Sequence, residues 1–306
     1  MKLIGDIGGT KVLLALVDEA GAFRQQCRLA SAEFASFDDL LAAYLRGIDA
    51  SVEGGCLAVA GPVADQGRSA KVTNLPWTID CAALEARFDL GRLQLINDFA
   101  AVAHGVSRLD PAQMLQLQAG EPCEHGVRLV LGAGTGLGMG ILLDDCVLPS
   151  EGGHVGFAPA DALQWQVWQA LQTERGRVTA ESVISGPGLA NIHRILAGEA
   201  LDPAEVVARA RQNDAAARRS LEVFFSAYGA FAGDMALATL ARGGVFLAGG
   251  VTAHLLSELP QSGFLAAFNA KAEHAGLARR MPVWVVTDPD IGLRGAAIAL
   301  SRSAFR

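Results

Sequence analysis

Residues 3–7 and 12–17 are two short apolar runs on either side of a glycine-rich turn, a pattern that predicts a β-hairpin. Asp18-Glu19-Ala20-Gly21 then turns the chain into a third strand near 23–29. From Phe37 the period changes: Phe37, Leu40, Leu41, Tyr44, Leu45 and Ile48 recur at helical spacing, and 55–61 returns as a buried strand. Asp80 is placed to cap a helix over 81–88, and 93–96 reads as a strand ending at Asn97-Asp98. Strands that feed a helix and then another strand indicate an α/β sheet, in which ligands gather at the carboxyl ends of the strands.

The second half repeats the first in outline. Leu131-Gly132-Ala133-Gly134-Thr135-Gly136 matches Ile4-Gly5-Asp6-Ile7-Gly8-Gly9-Thr10; in both, an apolar strand enters a Gly/Thr turn, another leaves it, and Asp144 or Asp18 closes the hairpin. The spacing is that of a domain-scale duplication and too long for a solenoid. Two such hairpins could hold a polyphosphate. Leu163, Val167, Trp168 and Leu171 form a helical face, 214–241 reads as a long apolar helix whose aromatics are most simply core, 245–248 and 283–286 as strands, and 291–301 as a closing helix.

Composition narrows the classes. With 306 residues, 51% of them apolar, about two domains with cores of their own are expected. A net charge of −7 offers no cationic surplus for nucleic acid or an anionic membrane surface. No apolar stretch approaches the roughly 20 residues of a bilayer span. The start, with Asp6 among glycines, lacks the apolar core of a signal peptide, so the chain is expected in the cytoplasm. Cys27, Cys56, Cys81, Cys123 and Cys146 are scattered, as reduced thiols that pack rather than ligate would be. The 35 glycines cluster at turns, where positive φ or close approach to a ligand favours them.

Each polar cluster has a functional and a structural reading. Gly5-Asp6-Ile7-Gly8-Gly9-Thr10 could present backbone N–H groups and the Thr10 hydroxyl to phosphate, with Asp6 holding Mg²⁺ through water; the alternative is a tight hairpin whose Asp bonds its own turn. Gly134-Thr135-Gly136 precedes a strand, which argues against a Rossmann site, and no Walker A sequence is present. Asn97-Asp98 offers an amide for a sugar hydroxyl and a carboxylate for its proton; taken alone, the segment favours Asp98 as a simple helix cap. Glu151-Gly152-Gly153-His154 could grip adjacent hydroxyls or be an exposed loop. Glu181 could be a solvated side chain, and Gly249-Gly250, after an apolar strand, a plain strand-to-helix turn or a close approach to adenine.

In order and along the whole chain, these segments resemble the bacterial glucokinases of the actin-like sugar-kinase ATPase fold. Residues 5–10 and 132–138 look like the two phosphate loops, 95–101 like the segment with the catalytic Asp, and 149–157 like the sugar loop. Val-Thr-Ala-Glu-Ser-Val-Ile-Ser-Gly-Pro-Gly at 178–188 is similar to the family's S-A-E-x-V-x-S-G-P-G, and 246–251 to its adenosine loop. The resemblance implies an α/β, two-domain, ribonuclease H-like architecture with the active-site cleft between the domains. It implies a small domain over 1–108 rejoined by 288–306, a large one over 109–287, and a homodimer. Asp98 would be the general base on the glucose 6-hydroxyl, with Asn97, Glu151, His154 and Glu181 as further sugar ligands. Gly5 to Thr10, Gly134, Thr135, Gly136, Gly249 and Gly250 would hold Mg-ATP.

Related ROK-type kinases carry a Cys-rich zinc motif after the sugar loop, whereas 155–180 contains no Cys. Lys11 and Gly156 depart from the family's usual Asn and Asp. A kinase for another hexose or amino sugar, and a sugar and ATP sensor without catalysis, stay open as alternatives.

Overall fold

The computed structural model describes residues 1–303, which divide into two compact units: Met1–Leu109 joined by residues 288–303, and Asp110–Thr287. In the first, β1 (Lys2–Ile7), β2 (Lys11–Val17) and β3 (Phe23–Ala30) form an antiparallel meander, and β1 pairs with β2 from Lys2 opposite Val17 to Ile7 opposite Val12. After α1 (Phe37–Leu45), β4 (Gly54–Val59) joins β1 in parallel. A ribbon of β5 (Val63–Ala64), β6 (Ser69–Lys71) and β7 (Thr78–Asp80) leads into α2 (Cys81–Phe88), β8 (Arg92–Asn97), which is parallel to β4, and α3 (Asp98–Val106).

The two faces of this sheet follow from the period of two along its strands. Leu3, Ile7, Leu14 and Leu16 pack with Phe37, Leu40 and Leu41 of α1, while Ile4, Leu13, Ala15, Cys56 and Ala58 pack with Ala101 of α3 and with Leu293 and Ala296 of the C-terminal helix Ile291–Ser303. A side chain at Gly105 would meet Ile291 Cδ1 at 2.5 Å and one at Gly295 would strike the Ala101 carbonyl, so these two helices cross almost backbone to backbone.

The second unit repeats the plan. Its sheet contains β9 (Met114–Gln118), β10 (Arg128–Ala133), β11 (Leu137–Leu143), β12 (Cys146–Ser150), β13 (Gly244–Ala248) and β14 (Val283–Val286). The order β12-β11-β10-β13-β14 reproduces β3-β2-β1-β4-β8, with β9 added antiparallel at the edge. Three antiparallel strands followed by two parallel ones, twice over, are the layout of the actin-like, ribonuclease H-like ATPase fold. The core lies between this sheet and α4 (Ala162–Arg175), α5 (Gly186–Ala197), α6 (Pro203–Arg211) and the 25-residue α7 (Ala215–Thr239). Among the described residues no helix is long and apolar enough to cross a membrane.

Candidate active site

In the first unit, register puts three strand ends on one edge, because Ile7 pairs with Val59 and Val59 with Asn97. The turn after β1 is closed by the Gly8 N–H donating to the Lys11 carbonyl at 3.0 Å. Buried Ser31 clamps it twice: its hydroxyl donates to the Gly8 carbonyl at 3.0 Å and its N–H to the Thr10 carbonyl at 3.1 Å. Thr10 itself is exposed. Asp6 points at the start of the C-terminal helix, where a side chain at Gly292 would come within 2.6 Å of Oδ2. Burial pushes the Asp6 carboxyl above its ordinary pKa, against the lowering effect of Lys11 and with help from Asp290.

The structure corrects the expectation for Asn97-Asp98. The cap is Asn97, whose Oδ1 accepts the Phe99 and Ala100 N–H groups at 2.9 and 3.2 Å; Asp98 is the first residue of α3. Asn97 satisfies two of the orphan donors of the helix, and the lone pairs of its amide oxygen are then used. What remains for a sugar is Nδ2, which also donates to the Gly61 carbonyl at 3.4 Å. The amide is therefore a donor here and no longer the two-way group the sequence implied. Asp98 Oδ1 accepts the Phe99 N–H at 3.0 Å. A concavity of about 360 Å³ lined by Pro62, Lys71, Val72, Thr73, Asn74, Leu75 and Pro76 opens beside Gly9, whose missing Cβ would lie 3.3 Å from the Thr73 carbonyl.

In the second unit the Gly134 N–H donates to the Gly136 carbonyl at 2.8 Å, leaving Thr135 exposed at the tip. Gly132 pairs with Ala248, so Gly249-Gly250 reach the same edge. Gly249 has φ +94° and any side chain there would strike the Ala133 carbonyl; Gly250 opens the short helix α8 (Gly250–His254) with nothing near its Cβ position. Glu181 is not the solvated side chain of the alternative reading. Its Oε2 accepts the Leu137 N–H at 2.8 Å.

Residues 152–154 form one turn of 3₁₀ helix that keeps Glu151 and His154 exposed, with His154 Nε2 3.9 Å from Glu151 Oε2. Side chains at Gly152 and Gly153 would strike Met139 and the Leu137 carbonyl, so this turn is pressed flat on β11. The fold thus gathers Thr135, Glu151, His154 and Glu181 around the start of β11, and Asp6, Asn97 and Asp98 at one sheet edge of the other unit. Among the described residues no group of three or more His, Cys, Asp or Glu side chains is arranged to hold a metal.

Two supporting residues escaped the sequence reading. Ser31 lies far along the chain from the turn it clamps, and Tyr228 sits among core aromatics of α7, yet its hydroxyl takes the Ala133 N–H and lies 3.5 Å from Thr252 Oγ1. Burial pushes the Tyr228 phenol up to about 12, so it stays a neutral hydrogen-bonding group. Neither has a local sequence signal; each is recognisable only as a polar atom inside a known core.

A family model described as Glucokinase matches residues 3–303. The chain belongs to the glucokinase family. The glucokinase of Stenotrophomonas maltophilia (strain K279a) is 39% identical over 314 residues, spanning 96% of this chain and 93% of that protein. A glucokinase from an Antarctic psychrotroph, solved as a crystal structure, is 33% identical, with a TM-score of 0.84 and 98% of both chains covered. The ROK family glucokinase from Streptomyces griseus, solved in complex with glucose and AMPPNP, is 22% identical with a TM-score of 0.70 over 99% of both chains, and shares the fold. Membership of the glucokinase family makes this chain a sugar kinase built on the actin-like ATPase fold.

Proposed function

We propose that this glucokinase-family chain transfers the γ-phosphoryl group of ATP to the 6-hydroxyl of D-glucose, releasing ADP and glucose 6-phosphate, with the two compact units acting as the small and large domains. The observation that carries the mechanism is the division of labour at the head of α3. Asn97 caps the helix, so Asp98 stands at its first position on the strand edge that bears the first Gly/Thr turn.

In this reading Asp98 accepts the proton of the 6-hydroxyl as O6 bonds to the γ-phosphorus and the bond to the β,γ-bridging oxygen breaks. Asn97 Nδ2 donates to a sugar hydroxyl; Glu151, His154 and Glu181 bind others, two carboxylates accepting and the imidazole completing the set. A hydroxyl of the wrong configuration strands a desolvated partner, at about 1–3 kcal/mol, and this selects the hexose. The N–H groups of Gly8, Gly9, Thr10, Gly134, Thr135 and Gly136 hold the phosphates, and the Gly249-Gly250 turn the adenosine. Mg²⁺ neutralises phosphate charge when bound. A single carboxylate, Asp6, suits it, since this ion takes most of its ligands from phosphates and water.

The test is ADP release from Mg-ATP with and without glucose, in the wild type and Asp98→Ala, and with mannose, fructose and N-acetylated hexosamines in place of glucose. Sugar-dependent turnover that falls at least about 100-fold in Asp98→Ala is the expected result. Near-normal turnover in the variant removes Asp98 from the base role; glucose binding without turnover in the wild type makes the protein a sensor. A cytoplasmic location and a homodimer belong to the same reading through the family likeness, and fractionation and light scattering test them.

A further inference from the structure

We propose that Glu181 is the positioning residue of the Gly134 to Leu137 turn, and that through it occupancy of the sugar site and of the nucleotide site reinforce each other; this rests on the functional reading above. The segment 181–186 grips that turn at both ends. At one end the Gly186 N–H donates to the Gly134 carbonyl at 2.8 Å; at the other Glu181 Oε2 accepts the Leu137 N–H at 2.8 Å. The carboxylate lies directly over the turn, since a side chain at Gly136 would come within 2.5 Å of Oε2. The backbone of Glu181 is itself anchored, because the Ser185 hydroxyl donates to its carbonyl at 2.8 Å while capping α5 through the Gly188 N–H at 3.0 Å.

The backbone grip is fixed, but the carboxylate grip is adjustable. Glu181 is partly exposed, and Oε1 takes no hydrogen bond from the described residues. A sugar hydroxyl donating to Oε1 fixes the carboxylate in the rotamer that keeps Oε2 on Leu137. The ordering cost of this long side chain is then met by whichever ligand arrives first, and coupling between sites is reciprocal. Leu137 is the shared element: its N–H carries Glu181, and its carbonyl packs against Gly153, between Glu151 and His154.

The experiment is calorimetric titration of AMPPNP, with and without glucose, into wild type, Glu181→Gln, Glu181→Ala and Gly136→Ala. Glucose should tighten AMPPNP binding to the wild type. Without glucose, Glu181→Ala should bind AMPPNP about tenfold more weakly, and glucose should no longer tighten it. Glu181→Gln, whose amide oxygen can still accept the Leu137 N–H, should keep the wild-type AMPPNP affinity without sugar while losing glucose affinity; a role in sugar binding alone would leave AMPPNP unmoved in all four. Gly136→Ala pushes the carboxylate off the turn while leaving Glu181 in place, and should reproduce the tenfold loss even where Glu181→Ala does not fold. AMPPNP affinity within about twofold of wild type in Glu181→Ala or Gly136→Ala, or no effect of glucose on the wild type, overturns the proposal. Absence of glucose turnover in the wild type instead strikes the functional reading, and leaves the comparison without sugar intact.

Discussion

At the scale of single residues, Asn97 carries two duties that one substitution can separate. Its Oδ1 caps α3 and its Nδ2 is the donor left for sugar. Asn97→Ala removes both, and should lower stability by about 1 kcal/mol, the usual cost of a lost cap. Asn97→Asp keeps an oxygen for the cap and replaces the donor by an acceptor. Its thermal midpoint should stay near wild type while glucose affinity, read by calorimetry without nucleotide, falls at least about tenfold as two acceptors face each other. Equal glucose affinity in Asn97→Asp and wild type would exclude Nδ2 from sugar binding. Local signals decided what could be read here from sequence. Asp80 stands alone before an apolar helix and is its cap, accepting the Ala83 N–H at 2.9 Å. At 97–98 two capping residues stand side by side, and only backbone geometry says which of them bonds the helix. Glu181 was legible as a polar residue in a family segment, but its partner Leu137 lies 44 positions away, beyond any local pattern.

At the scale of elements, the long periodic strands and helices were legible because burial imposes the period. The ribbon β5 to β7 was not, since strands of two or three residues carry no period. Neither was β12, whose mixed residues and Pro149 suit an edge strand, where a missing N–H costs nothing. The stapling of α2 to β8 was equally hidden. Arg68 makes two hydrogen bonds to Glu85, at 2.7 and 2.8 Å, and donates to the Leu93 carbonyl, while Glu85 accepts the Leu93 N–H at 2.6 Å. The Arg68 hydrogen bonds hold the Glu85 carboxyl below its ordinary value, outweighing desolvation. A carboxyl whose pKa is lower folded than unfolded stabilises fully above the unfolded value, here the ordinary 4.5, and that stability disappears as pH falls through the folded value. Glu85→Gln should therefore cost about 1–3 kcal/mol at pH 7, and the gap to wild type in urea denaturation should close below about pH 4. A gap unchanged between pH 7 and pH 3.5 would mean that shape, and not charge, makes the staple.

At the scale of the whole molecule, chain order and structural unity disagree, and that has a consequence for folding. The second unit is one continuous stretch, 110–287, with its own core running from Leu129 to Val285. The first is assembled from both ends of the chain. The face of its sheet formed by Ile4, Leu13, Ala15, Cys56 and Ala58 is completed by Leu293, Ala296 and Ala299, which arrive only with residues 288–303. Each fully buried Leu or Ile side chain is worth roughly 1.5–3 kcal/mol, and the margin of a domain is only about 5–15 kcal/mol, so losing that helix removes a large part of the margin. A fragment of residues 110–287 should unfold cooperatively in urea by circular dichroism. A fragment of residues 1–109 should lack a cooperative transition until a peptide of residues 288–306 is added, and then gain one. Cooperative unfolding of 1–109 alone would show that the hairpin and the α1 face suffice, and that the C-terminal helix only adds stability to a unit already folded. The same dependence reaches the chemistry. Asp6 packs against Gly292 at the start of this helix, so the peptide that restores the fold also completes the surroundings of the carboxylate assigned to Mg²⁺. Gly295→Leu would test this in the intact chain: its side chain collides with the Ala101 carbonyl, and it should depress stability and Mg-ATP turnover together, whereas a helix serving the fold alone would lose stability first and keep kcat.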